Sequence, residues 1–353
     1  MSAHDSAATI RAKLNHPIFD ADGHWLEFPP AMQERMRRVG GERAAMGFAD
    51  SQKRFGASLN ASVEERRKNR VPQEAFWSSP NDPTDRATVM MPKLLYQRLD
   101  ELGIDFAVIY PTAGLPIVRI MDPELRRATC RAYNVIVAEQ FGPYADRMCP
   151  AAIIPMYTPD EAIEEIEYVT RQLGQKRNAQ GLQRTEPGRI DGGLMLRIAE
   201  AHASGELLQK IREVNGRIDS DAENRATGGI ANLDDFSACK IEQPEDFLQL
   251  FAGSFYFGCE ADDHANAWAF NRKVNPLGAG PNAMFGSDIG YFDVPDITQV
   301  VPEAYELLEH GLLDEEAFRD FTFANAVRVW GTHNPTFFKG TVIECAAADV
   351  LAA

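Results

Sequence analysis

The chain has 353 residues, of which 44% are hydrophobic and 25% charged, and its formal net charge is −16 at pH 7. This composition is typical of a globular protein long enough for one large α/β barrel or two ordinary domains. The acidic balance argues against nucleic acid or an anionic membrane surface as a partner, because both bind basic patches.

Neither a secretory signal at the N-terminus nor a membrane span is expected from the sequence. The N-terminal stretch MSAHDSAATIRAK lacks a basic start followed by an apolar region, and no apolar run reaches the roughly 18 residues of a membrane span. We therefore expect a cytoplasmic protein with reduced cysteines. Residues 1–16 are expected to form a loose N-terminal arm and residues 341–353 a C-terminal tail, on either side of a single domain over residues 17–340.

The first predicted strand ends in a group of polar residues. Ile18 and Phe19 are followed by alternating Asp20, Asp22 and His24. If these three share one strand, their side chains point to one face. Carboxylate and imidazole groups there would supply half of the ligand shell of a divalent metal. The alternative is that the acids are turn and cap residues and that His24 is a partly buried polar group.

The next part of the chain is expected to be irregular. A helical piece stops at Gly40 and Gly41, and residues 43–91 are polar and rich in turn residues. A loop of this length is usually functional or disordered. We interpret it as a lid-like insertion whose Phe76 and Trp77 close over a ligand; the alternative is a surface excursion packed by its own Trp77.

Helices and strands then alternate. Helical spacing over residues 94–102 precedes the apolar run FAVIYPT, and helices beginning near Asp122 and Thr158 enclose the apolar stretch CPAAIIPMY. Such alternation predicts βαβ units and a parallel sheet. Residues 175–242 break the pattern, since they contain no convincing strand. Later, SFYFGCEAD and AMFGSDIGYFD read as strands, and residues 297–308 and 314–330 as helices.

Ligands of parallel α/β proteins bind at the C-terminal ends of the strands. The candidate residues there are Asp22, His24, Tyr110, Glu260, Asp262 and Asp288. Asp288 is the strongest candidate, as a metal ligand or a proton acceptor. The alternative is that it forms an N-cap or an Asx turn for the loop that follows.

Of the seven histidines, only His264 joins His24 as a candidate, because it can fall at a strand end. His4, His16, His310 and His333 read as surface or capping residues, and His202 as a solvent-facing helix residue.

Three segments together resemble one known family. With DADGHWLE at residues 20–27, FGSDIGYFD at 285–293 and NAVRVWG at 325–331, the chain resembles the amidohydrolase-related (amidohydrolase 2) family, which includes aminocarboxymuconate-semialdehyde decarboxylase and other metal-dependent decarboxylases and hydrolases. The resemblance covers roughly residues 17–174 and 243–340.

The resemblance implies a TIM-type (β/α)8 barrel with a divalent metal, most often zinc with manganese as the alternative, at its C-terminal mouth. Asp22 and His24 stand at the family's first-strand metal positions, and Asp288 matches the last-strand aspartate, which binds the metal or its water and takes part in proton transfer. Glu260 or His264 would complete the shell. The implied function is hydrolysis or non-oxidative decarboxylation of a small carboxylated or cyclic substrate.

The chain also departs from the family pattern. No histidine stands where the family's fifth and sixth strands supply one, and residues 175–242 leave strands four to six unrecognisable, so the barrel is expected to be incomplete or distorted. The alternative function is therefore a catalytically impaired, degenerate member that keeps the scaffold without a complete metal site. Exposed sheet edges would have to be covered or paired, which allows a homodimer.

Overall fold

A computed structural model describes residues 5–59, 82–173, 248–291 and 294–353, together with residues 62, 64, 65, 68, 178, 179, 243, 245 and 246. By its contacts the chain divides into two compact units, Met1–Gly181 with Phe251–Ala353, and Leu182–Leu250. Almost all of the described residues belong to the first unit, which contains the sheet.

All strand pairs of the described residues are parallel. The strands are β1 (Phe19–Trp25), β2 (Phe106–Pro111), β3 (Met148–Pro150), β4 (Ala152–Ile153), β5 (Asn178–Ala179), β6 (Tyr256–Glu260) and β7 (Asn282–Gly286). They pair in the orders β1-β2-β3, β4-β5 and β6-β7. Parallel strands separated by helices are as predicted, but within the described residues the strands do not close into a barrel.

The α-helices of the described residues are α1 (Ala7–Lys13), α2 (Pro29–Leu59), α3 (Pro83–Met90), α4 (Pro92–Arg98), α5 (Pro123–Phe141), α6 (Pro159–Arg171), α7 (Val300–Glu309), α8 (Glu315–Arg319), α9 (Asn325–Gly331) and α10 (Glu344–Ala352). Short 3-10 helices cover Leu115–Arg119, Gly142–Tyr144, His264–Phe270 and Pro276–Gly278, and π-helices cover Leu248–Ala252 and Asp320–Ala324. In the part of the chain so described, no helix is long and apolar enough to cross a membrane.

Strand β1 is joined to the segment that directly follows β7. The backbone N–H of Asp288 donates to the carbonyl of Asp22 (3.1 Å), and the N–H of His24 donates to the carbonyl of Ile289 (3.2 Å). The spatial order is therefore β6-β7-β1-β2-β3. This junction brings the C-terminal ends of the first and last strands together.

Strand β2 is buried on both faces, as its continuous apolar run predicts. Phe106 and Val108 belong to one apolar cluster, together with residues of α9 and α10. Ala107 and Ile109 belong to another, together with residues of α2, α5 and α7. Alternate residues of β2 thus pack on opposite sides of the sheet.

The prediction of an irregular chain over residues 43–91 is wrong at both ends of that range. Helix α2 continues to Leu59, and α3 occupies Pro83–Met90. Gly41 has φ of 72°, a left-handed conformation that glycine adopts readily, so the helix kinks there and continues. Burial of Ala45 and Phe48 holds the second part against the core. Phe76 and Trp77 lie outside the described residues, so the lid stays a prediction.

The termini are more ordered than expected. Residues 7–13 of the predicted loose arm form α1, whose Ile10 is buried and whose Arg11 pairs with Asp105. His16 is buried too, which corrects its interpretation as a surface or capping residue. The predicted tail contains α10, with Val350 in the core. Both segments are short, so their order comes from docking on the rest of the fold, which local sequence patterns do not reveal.

The atypical stretch 175–242 contains at least one parallel strand. Strand β5 pairs with β4 through Ala152 opposite Asn178 and Ile153 opposite Ala179. The expectation of no strand in this interval is therefore wrong at residues 178–179, where only two residues pair and no apolar run marks them. His202, predicted to be a solvent-facing helix residue, lies outside the described residues.

Candidate active site at the junction of the first and last strands

Three predicted residues meet at the strand junction. Asp22 and His24 come from the end of β1, and Asp288 lies two residues beyond β7. One potential ligand atom of each lies within 4.8 Å of those of the other two. Nε2 of His24 is 2.9 Å from Oδ1 of Asp288 and 3.5 Å from Oδ1 of Asp22. The sequence prediction that these three residues come together is thus reproduced in the geometry.

The imidazole of His24 is held on several sides. Its side chain is only 8% exposed, whereas Asp288 is 18% and Asp22 is 43% exposed. The ring of Tyr291 meets it edge-on at 4.2 Å between centroids, and that of Tyr110 lies at 6.1 Å. The buried Nδ1 has no hydrogen-bond partner among the described residues. The ring is therefore oriented by packing, with Nε2 directed at the two carboxylates.

The backbone at Asp288 has an unusual conformation. Its φ is 50°, in the left-handed region that aspartate tolerates better than bulky residues. Its N–H is bound to Asp22, and its carbonyl accepts from the N–H of Tyr291 at 3.1 Å. The chain therefore turns sharply here and brings both Asp288 and Tyr291 against His24. Backbone conformations of this kind recur at functional sites.

Asp20 does not join the group formed by Asp22, His24 and Asp288. The register of β1 against β2 shifts between Asp20 and Gly23, a bulge that breaks the strict alternation expected of the strand. The buried carboxylate of Asp20 accepts hydrogen bonds from the N–H and the hydroxyl of Ser287 (2.9 and 2.7 Å) and from the N–H of Asp22 (3.0 Å). Burial raises the pKa of Asp20 to about 6, although these bonds act in the opposite direction. Asp20 thus links the two segments that carry the site.

Close approach at this junction depends on Gly286. A Cβ added there would lie 2.9 Å from Cβ of Asp22 and 3.3 Å from the carbonyl oxygen of Cys259. A contact below 3 Å with a neighbouring Cβ requires one of the two strands to move. Glycine at the end of β7 therefore lets β1 bring Asp22 alongside.

A second buried acid organises the neighbouring strand end. The carboxylate of Glu27 accepts from the backbone N–H groups of Thr112, Ala113 and Gly114, at 3.2, 2.7 and 2.9 Å, and from the hydroxyl of Tyr133. Burial raises the pKa of Glu27, and these hydrogen bonds act against that rise. Burial also raises the pKa of Tyr133. Glu27 thereby fixes the loop that follows β2 beside the site.

The donor set fits a divalent cation. Two carboxylates and one imidazole converge, and the side-chain exposure of Asp22 leaves the group open to solvent on one side. Carboxylate oxygens suit Mn²⁺ and imidazole nitrogen suits Zn²⁺, and three protein ligands with an open position are common in catalytic metal sites. The same cation would neutralise the repulsion between the two aspartates.

The two additional candidates, Glu260 and His264, lie in and directly after β6. Glu260 is the exposed last residue of β6 and pairs with Gly286 in the strand register. His264 begins the next 3-10 helix, and its Nε2 is 3.0 Å from Oε2 of Glu306. Neither belongs to the group of Asp22, His24 and Asp288. Their participation in that site stays a prediction.

Sequence reasoning missed the residues that position the group. No local pattern predicts the hydrogen bonds of Ser287 to Asp20, the long-range partners of Glu27 or the edge-on contact of Tyr291 with His24. The sequence carries one sign of these supporting residues: a short polar residue lies one or two positions before a candidate ligand, in the pairs Asp20–Asp22 and Ser287–Asp288. In such a pair one residue can act as a ligand while the other hydrogen-bonds to the backbone.

Neither a protein-family model nor a curated protein sequence matches the chain. Solved structures that it resembles include 2,6-dihydroxybenzoate decarboxylase from Rhizobium, with 12% identity, 90% of this chain and 100% of that chain covered, and a TM-score of 0.46. Dihydroxybenzoic acid decarboxylase from Polaromonas sp. JS666, which holds manganese and the inhibitor 2-nitroresorcinol, has 12% identity, coverage of 92% and 99%, and a TM-score of 0.47.

A third similar structure is 4-oxalomesaconate hydratase from Rhodopseudomonas palustris, with 17% identity, coverage of 95% and 100%, and a TM-score of 0.46. At identities of 12–17% and TM-scores below 0.5, these similarities do not define the chemistry of this chain.

Proposed function

We propose that this protein is a metal-dependent enzyme of the amidohydrolase-related kind, which decarboxylates or hydrolyses a small carboxylated or cyclic substrate. The proposal rests on one observation: Asp22 and His24, at the end of the first strand, lie close to Asp288, just beyond the last strand. We further propose that the parallel strands belong to a (β/α)8 barrel, since β6-β7-β1-β2-β3 form one parallel series with the site at its C-terminal edge.

Asp22, His24 and Asp288 would hold the cation. When bound, it would supply Lewis-acid polarisation of a substrate oxygen. Asp288 would exchange a proton with the substrate, and Nε2 of His24, 2.9 Å from its Oδ1, would orient that carboxylate.

The charge of the site restricts what can bind. Two carboxylates within 4.8 Å of each other repel an anionic substrate unless a cation lies between them. Binding of a substrate carboxylate should therefore require the metal. The aromatic rings of Tyr110 and Tyr291 flank His24, and aromatic rings pack readily against a flat or cyclic substrate.

The donor set favours manganese over the zinc expected from the family. Only one of the three groups is an imidazole, and catalytic zinc sites with three protein ligands usually contain two or three histidines or cysteines. Carboxylate-rich sites suit harder cations such as Mn²⁺.

Metal analysis of the purified full-length chain, after dialysis against Mn²⁺ or Zn²⁺, tests the site. We expect one equivalent of Mn²⁺ in the wild type and its loss in His24→Ala and Asp22→Ala. His333→Ala is the matched control, because His333 is an exposed histidine outside the group. A folded wild-type chain that retains no Mn²⁺ would refute metal binding at this group.

Turnover tests the role of Asp288. Assayed with metal against small aromatic and unsaturated carboxylates, by release of CO2 or change in absorbance, Asp288→Asn should lose at least about a hundredfold in kcat, the usual contribution of a group that transfers a proton. Circular dichroism should remain unchanged, since asparagine also tolerates left-handed backbone. Turnover at the wild-type rate would exclude the proposed proton transfer.

The alternative to an active enzyme is a catalytically impaired, degenerate protein that keeps the scaffold without a complete metal site. The observation that favours it is that neither Glu260 nor His264 joins the three-residue group. A chain that folds, binds no divalent metal at this group and turns over none of the tested acids would support this alternative.

A further inference from the structure

A second group of potential metal ligands lies away from the strand junction. It consists of His264, Glu306 and His310, and one ligand atom of each lies within 4.8 Å of those of the other two. None of the three belongs to the group of Asp22, His24 and Asp288. Two imidazoles and a carboxylate are a donor set that binds Zn²⁺ and other borderline divalent metals.

Two elements contribute these ligands. His264 begins the 3-10 helix that follows β6, whereas Glu306 lies in α7 and His310 caps the C-terminal end of that helix. Residues four apart on a helix share one face, so Glu306 and His310 can present their side chains together. This i, i+4 pair supplies two ligands on one rigid support, and His264 reaches it from the neighbouring segment.

The contacts are close enough for a single ion. Nε2 of His264 lies 3.0 Å from Oε2 of Glu306, and the rings of His264 and His310 are 5.5 Å apart and nearly perpendicular. The two rings meet edge to face, an arrangement that aromatic pairs favour. The side chains are accessible, at 45% exposure for His264 and 23% for Glu306. An ion can therefore enter from solvent without unfolding.

We propose that His264, Glu306 and His310 form a second, surface metal site that binds Zn²⁺ and ties the start of the 3-10 helix to the end of α7. The proposal is independent of the function assigned to the strand junction. The 3-10 helix also contributes Ala265, Asn266 and Trp268 to the wall of a cavity of about 250 Å³ beside β6 and β7. Binding of Zn²⁺ at its first residue would restrain that wall.

Equilibrium dialysis with Zn²⁺ alone, followed by metal analysis, tests the site in the full-length chain. To keep the strand junction out of the count, all variants are made in a His24→Ala background. We expect one equivalent of Zn²⁺ in that background and binding weaker by at least about tenfold after His264→Ala or His310→Ala, as loss of a ligand should cost no less than loss of a supporting residue. His333→Ala should bind as the background does.

Thermal unfolding supplies a second readout. Zn²⁺ should raise the Tm of the His24→Ala background, because an ion bound only to the folded chain stabilises it, and at the same concentration should raise the Tm of the His264→Ala and His310→Ala versions clearly less. Equal Zn²⁺ binding in all four chains, or none in the background, would overturn the proposal and leave a surface His264–Glu306 hydrogen bond only. Failure of the strand-junction site would appear separately, as unchanged Mn²⁺ content when His24 is replaced in an otherwise wild-type chain.

Discussion

Replacement of His16 by glutamine should make the free energy of unfolding less dependent on pH between 7.5 and 4. Nε2 of His16 is 3.0 Å from the hydroxyl of Thr322, and its ring packs against Phe318 and Phe323. Burial, together with the positive charge of Arg11 and Arg319, lowers the pKa of His16 from 6.5 to about 4. The folded state therefore favours the neutral ring.

The sign of the effect follows from proton binding. Above pH 6.5 the ring of His16 is neutral in both the folded and the unfolded chain, and its full contribution to the free energy of unfolding is present. Between pH 6.5 and 4 the unfolded chain takes up the proton first, so the free energy of unfolding falls as the pH falls. At about 1.36 kcal/mol per pKa unit, the lowering from 6.5 to about 4 corresponds to a loss of at most about 3 kcal/mol.

Urea unfolding at several pH values from 7.5 to 4 measures this loss. Glutamine does not titrate and can still bond to Thr322, so the difference in unfolding free energy between wild type and His16→Gln should shift by up to about 3 kcal/mol in favour of the variant as the pH falls. His333→Gln, at an exposed position, serves as the matched control. A pH-independent difference between wild type and His16→Gln would refute a buried neutral histidine at this position.

Two further changes test a buried ion pair and the packing at the site. Arg126→Met should destabilise the chain by about 3–5 kcal/mol in urea unfolding, because the Arg126–Glu161 pair is almost fully buried and the change leaves the Glu161 carboxylate without a cation; a cost below about 1 kcal/mol would contradict that burial. Gly286→Ala should displace Asp22 and weaken Mn²⁺ binding by at least about tenfold, a cost within the range for supporting residues of metal sites. Gly142→Ala is its control, because an added Cβ meets no atom within 4 Å there; equal Mn²⁺ affinity of the two variants would show that the close contact is unimportant.

The sequence predicts those elements whose local pattern is strong. The apolar run of β2 and the capping box of Thr158 and Glu161 are both found where predicted, because each depends on neighbouring residues. The convergence of Asp22, His24 and Asp288 is also predictable, since parallel strands align their C-terminal ends. These features need no knowledge of distant contacts.

Other features depend on partners that are remote in sequence. Helix α2 continues past Gly41 because its apolar residues find a buried surface, although two glycines there favour a stop. The burial of His16 depends on Thr322, and the hydrogen bonds of Asp20 depend on Ser287. A bulge in β1 then sets Asp20 apart from Asp22, which strict alternation does not predict. Separations of this size leave no signal in a local pattern.

The hydrogen bonds between Asp20 and Ser287 span 267 positions of the chain. Closing so long a loop has a high entropic cost, and folds with many distant contacts form slowly. During synthesis β1 emerges long before β7, so Asp22 and His24 have no partner from the last strand until β7 has been made. A metal that requires the complete group can therefore bind only after β7 has folded against β1.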